Sequence, residues 1–123
     1  VALKVEAYIM SGITSIIRQA GIKQSSFFKG EVRSMINTGL RNILMHEREQ
    51  PEDTIPDMAY ARYEEFVCKW GVHLIGWTED SMCNPGNFKS TARLKRLYEA
   101  LKDGSCHWEC LTEDEWKKRK DAL

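Results

Sequence analysis

Residues 32–44 carry the pattern that most narrows what this chain can fold into. Val32, Met35, Ile36, Leu40, Ile43 and Leu44 recur at i, i+3, i+4, i+8, i+11 and i+12, the period of one broad face of an α-helix. A stripe that apolar must be covered by other elements. At 123 residues the chain is long enough to cover it with a single core, without help from disulfides or metal. The expectation is one globular domain over residues 1–123, cut from a longer chain, since the N-terminal VALKVEAYIM lacks an initiator Met. The same stretch lacks a basic leader and a small-residue cleavage site, unlike a signal peptide. No apolar run approaches the roughly 18 residues of a membrane span.

Other segments offer the cover. Val5, Ile9, Ile13, Ile16, Ile17 and Ala20 are helically spaced up to Gly21, although Gly12 inside the run weakens it by about 1 kcal/mol relative to Ala. Ser25 or Ser26 can cap the second helix, and the proline-bearing acidic stretch EREQPEDTIP (47–56) ends it. Asp57 can cap a third helix that buries Tyr63, Phe66, Val67 and Trp70 and stops at Gly71. VHLIGW (72–77) is short and rich in β-formers, so it reads as extended. A turn-rich loop around Asn84-Pro85-Gly86 leads to a helix over 90–103, with Ser90 as cap and Gly104 beyond its end. CHWECL (106–111) reads as extended, and Thr112 with Glu115 forms a capping box for a last helix. The predicted fold is mainly α: a compact bundle of about five helices, with room for one short two-stranded β-ribbon pairing 72–77 with 106–111.

Catalytic and cofactor signatures do not emerge. On paper Cys83, Cys106, Cys110 and His73 can be gathered as zinc ligands. Structural zinc, however, favours two close cysteine or histidine pairs, and only Cys106 and Cys110 are close. Extended backbone also sends His107 to the face opposite those two thiols. Small buried thiols in a reducing compartment are the plainer reading. Neither a Gly-rich phosphate loop nor a Walker-type lysine is present, and no cysteine–histidine pair has the setting of a nucleophile and its base. The expectation is a non-enzyme without metal or cofactor.

Charge supplies the remaining clue. The net charge is zero, but basic residues outnumber acidic by 6 to 2 over 1–46, trail 3 to 9 over 47–80, and lead 9 to 7 over 81–123. Such asymmetry permits a basic face if the two ends meet. In STARLKRLYEALKDG (90–104), Arg93, Lys95 and Arg96 crowd the helix start, where the dipole disfavours each cation by about 0.3–1 kcal/mol. Lys89 adds to them, and Arg93 has no acid three or four residues away; Lys95 has only Glu99. Backbone N–H groups at that end also attract anions, so a phosphate would relieve the arrangement. Arg33, Asn37 and Arg41 line one flank of the second helix with side chains suited to base edges; taken alone, the stripe is better explained by long side chains draped over the core edge with their heads in water.

The stretches YEEFVCKWGVHLIGWTEDSMCNPGNFKS and LYEALKDGSCHWECLTEDE, and more weakly VRSMINTGLRNIL, resemble an uncharacterised domain of mushroom-forming fungi found in part in proteins linked to mobile elements. The shared marks are Gly-Val-x-Leu-x-Gly-Trp, Asn-Pro and Ala-Leu-x-x-Gly-x-Cys-x-Trp; Trp70 and Gly86 depart from them. The general plan also resembles BEN-type DNA-binding domains. This resemblance implies an intracellular, nuclear, DNA-associated setting and no chemistry. The expected function is a helical DNA-binding module, with Lys89, Ser90, Arg93, Lys95 and Arg96 on phosphates and Arg33, Asn37 and Arg41 on bases or backbone. The alternative is a protein-interaction or oligomerisation domain, using the acidic 47–57 loop or exposed aromatics such as Trp77, Phe88 and Trp108.

Overall fold

Helix α1 spans Lys23–His46 in a computed structural model that describes residues 23–123; the helix predicted over 5–20 lies outside them. The stripe is buried as its period requires, with Val32, Ile36, Leu40 and Leu44 wholly shielded from water. Each such side chain contributes roughly 1.5–3 kcal/mol over its exposed state. Ser25 and Ser26 lie inside α1, not at its start: serine disfavours helix by only a few tenths of a kcal/mol, roughly 0.5 at most, too little to break it. Asp57 caps nothing, because helix α2 begins only at Tyr63 and runs Tyr63–Trp70. The chain before it is held in place by tertiary contacts. Met58 is buried, and its N–H donates to Asn37 Oδ1 on α1 at 2.8 Å.

Gly71 stops α2 in the left-handed region (φ 71°), and a Cβ there would stand 2.9 Å from the Trp116 ring. Glycine is therefore required by both backbone conformation and space. Strand β1 (Val72–Ile75) follows at once and pairs antiparallel with β2 (His107–Cys110), matching Val72 with Cys110, His73 with Glu109, Leu74 with Trp108 and Ile75 with His107. The ribbon thus forms inside the two predicted stretches. It puts Val72, Leu74, Trp108 and Cys110 on the core face and His73, Ile75, His107 and Glu109 on the other, since cross-strand partners share a face.

The register also fixes where backbone groups point. Leu111 N–H donates to Gly71 carbonyl oxygen at 2.9 Å, and hydrogen-bonded pairs recur at every second residue of an antiparallel ladder. His73–Glu109 and Ile75–His107 are therefore the bonded pairs. Leu74, Trp108 and Cys110 turn their N–H and C=O groups outward. Leu74 confirms the parity, because its N–H donates to the Tyr63 hydroxyl at 2.8 Å, on the margin of β1 away from β2.

Helix α3 (Thr91–Asp103) begins at Ser90, whose Oγ accepts the Arg93 N–H, and ends at left-handed Gly104. It lays Leu94, Leu97 and Ala100 into one core cluster with Phe28, Val32, Leu74, Phe88 and Cys106; the expectation of exposed aromatics is corrected here, since Phe88 is buried and Trp77 and Trp108 are half-buried against the core. A second cluster joins Ile36, Leu40 and Leu44 to Met58, Phe66 and Val72. Helix α4 (Glu113–Ala122) opens with the full Thr112–Glu115 capping box and is pinned by Trp116, whose Nε1–H donates to Cys68 carbonyl oxygen at 2.6 Å. Among the described residues the architecture is four α-helices and one two-stranded antiparallel sheet, and no helix is long and apolar enough to cross a membrane.

Candidate interaction groove

The basic end of α3 is less bare than its sequence suggests. Arg93 pairs with Glu79, whose carboxylate is almost fully buried, and its guanidinium also lies 5.7 Å from the centre of the Phe88 ring. The expectation that Arg93 lacks a counterion is corrected here. The loop after β1 brings a carboxylate to α3 that local helical spacing could not reveal. Ser90 is occupied as the cap, and Asn37 spends its carbonyl oxygen on Met58. Arg33 donates from Nε to Lys29 carbonyl oxygen, and its Nη1 lies 3.5 Å from where a Cβ on Gly86 would stand, over the turn that leads to Lys89. It also lies near Tyr60, whose hydroxyl is pushed up to about 12, mainly by burial, against the pull of Arg33. Arg41 is half-buried. Lys89, Lys95 and Arg96 are exposed and form no ion pair among the described residues, so the Lys95–Glu99 pair is absent.

Cys68 and Cys106 are buried, and Cys83 and Cys110 are half-buried. Cys106 is buried, and burial pushes its thiol up to about 11, which keeps it protonated and unreactive. Cys110 is half-buried beside the second cluster, and Cys83 packs against the first. His73 stands on the opposite face of the ribbon from Cys110; its pKa is lowered by burial first and by Arg119 second. Among the described residues no three His, Cys, Asp or Glu side chains gather closely enough to hold a metal ion.

A wide concavity lies elsewhere among the described residues. A groove of about 900 Å³ runs between α1 and β2, open to solvent, with Ser34, Thr38 and Asn42 along one wall and the whole stretch from Cys106 to Cys110 along the other. Four of these five residues form β2, and consecutive strand residues point to alternate faces, so a wall that takes all four is the strand's edge. That edge carries the outward N–H and C=O groups of Trp108 and Cys110, and none of them has a hydrogen-bond partner among the described residues. Trp108 braces the floor. Its Nε1–H donates to Ile36 carbonyl oxygen at 2.9 Å, and its Cδ1 would stand 3.0 Å from a Cβ on Gly39. The helix-interior glycine, unfavourable by about 0.5–1 kcal/mol, is what lets the indole approach α1. On the outer face, His107 meets Gly104 carbonyl oxygen through Nδ1 and Glu109 through Nε2, each at 2.8 Å.

Comparison with protein-family models, with curated proteins and with solved structures finds no match. Sequence reasoning found the two strands but missed their open edge. The signal was in reach, because the strand pairing and a buried Val72/Leu74 face together set which residues of 106–111 turn outward.

Proposed function

We propose that this chain is a non-enzymatic protein-interaction module that takes an extended segment of a partner protein as a third strand on β2, inside the groove against α1. Unpaired main-chain donors and acceptors on a sheet edge are a template for strand addition. The supporting observation is the pair of outward-facing residues, Trp108 and Cys110, set along a groove with apolar Met35, Ile43 and Leu101 in its lining. Main-chain bonds would supply affinity, and the α1 wall would select side chains.

Displayed libraries of extended peptides test this reading. Selected peptides should bind the wild-type chain and lose most of their affinity for Cys110→Pro, which removes one outward N–H while sparing the β1 ladder. Equal binding to both proteins, with unchanged thermal melts, would overturn the proposal, as would a library that yields no binder.

The second reading is DNA binding in a nuclear setting. The observation in its favour is the exposure of Lys89, Lys95 and Arg96 without ion pairs among the described residues. Its weakness is the loss of Arg93 to Glu79. If it holds, gel-shift affinity for duplex DNA falls steeply between about 50 and about 200 mM salt, and Lys95→Glu/Arg96→Glu abolishes it.

A further inference from the structure

We infer that the segment received by β2 is the β2 strand of a second copy of this chain, run antiparallel about a two-fold axis beside Trp108. The inference rests on the strand-addition reading and names its partner. Outward-facing residues must meet outward-facing residues in a ladder. Within residues 106–110, two symmetric registers engage the N–H groups of both Trp108 and Cys110: one centred on Glu109 and one centred on Trp108. Each satisfies those N–H groups once; the Trp108-centred register leaves the Cys110 carbonyl oxygen to water, because the Cys106 N–H opposite it already donates to Ala100 carbonyl oxygen.

The outer face does choose. Centred on Glu109, the register sets the two Glu109 carboxylates directly opposite each other, and like charges facing across a ladder are destabilising. Centred on Trp108, it sets each His107 opposite Glu109 of the second copy. In the single chain His107 Nε2 lies 2.8 Å from its own Glu109 carboxylate, and in this register the same nitrogen can take the Glu109 of the second copy in its place. His73, cross-strand from Glu109, stands on that carboxylate's other side. Read in reverse, a strand face bearing a donor at 107 and an acceptor at 109 is its own complement, which is the condition for an isologous contact.

The core side is compatible with the same pairing. A two-fold axis normal to the ribbon puts both α1 helices on one face of the enlarged sheet. Ser34, Thr38 and Asn42, the short side chains of the groove wall, then line the approach between them.

Sedimentation equilibrium of the 123-residue chain tests this. The wild-type chain should be a dimer. His107→Glu should raise the dimer dissociation constant about tenfold or more, and His107→Glu/Glu109→Lys should return it to within a few-fold of wild type; melts by circular dichroism check that each variant folds. A dimer indifferent to His107→Glu overturns the inference. A monomer that still binds selected peptides in a Cys110→Pro-sensitive way overturns the second copy as occupant and leaves strand addition standing. A monomer that binds none removes both. A monomer whose Trp108 and Cys110 amides exchange slowly assigns the edge to a segment of the same chain, and the second copy is again excluded.

Discussion

Trp108 joins core, helix and edge in one side chain. Its indole N–H is satisfied by a mid-helix carbonyl, so Trp108→Phe should lower stability by about 1 kcal/mol, measured as a shift of the urea midpoint without a change in slope. Glu79 is the buried member of an ion pair whose arginine is about half exposed. Solvent screening of Arg93 moderates the pair, so Glu79→Gln should lower stability by about 1 kcal/mol, less than the loss expected if both groups were buried. The same comparison shows where residue-level reading ran out. That Arg93 lacks a near neighbour of opposite sign was legible, because helical offsets are local arithmetic. Its true counterion lies across a loop, and no offset rule reaches across a loop. Asn37 failed for the same reason: its amide looked suited to an adenine, and the fold spends it on the Met58 backbone.

Elements bounded by their own residues were readable. Ser90, Gly71, Gly104 and the Thr112–Glu115 box each act within one turn, and each stands where the sequence puts it. Elements bounded by tertiary contacts were not. The start of α2 is set after a segment tied to α1, so Asp57, a good cap by composition, has no helix to cap. Helix α4 offers the cleanest test of the local kind. Its carboxylate Glu115 is lowered by hydrogen bonds from Thr112, and Thr112→Ala removes the hydroxyl acceptor of the box. The expected result is about 1 kcal/mol less stability, with faster amide exchange across 113–122 and little change in α1. The ribbon falls between the two cases. Its strands follow from β-rich runs, whereas its open side follows only from the parity fixed by the Leu111–Gly71 bond.

For the molecule as a whole, the buried Cys106 thiol links stability to pH. Its pKa is raised from 9.0 to about 11, so above pH 9 the unfolded chain releases a proton that the folded chain retains. Stability is then fully present below about pH 9 and declines as pH rises to about 11, by on the order of 2 kcal/mol. Thermal melts of Cys106→Ala should be lower at neutral pH and flatter across that window. The two core clusters share the partly buried Trp77, Trp108, Tyr63 and Leu101 around them, so one cooperative transition is expected from both tryptophan fluorescence and circular dichroism. The phenol that holds the Leu74 amide bears on how such molecules can accumulate. A strand added beside β1 would have to displace that phenol, so where β2 is taken by a second copy the pair keeps one less ready edge on which a filament could grow.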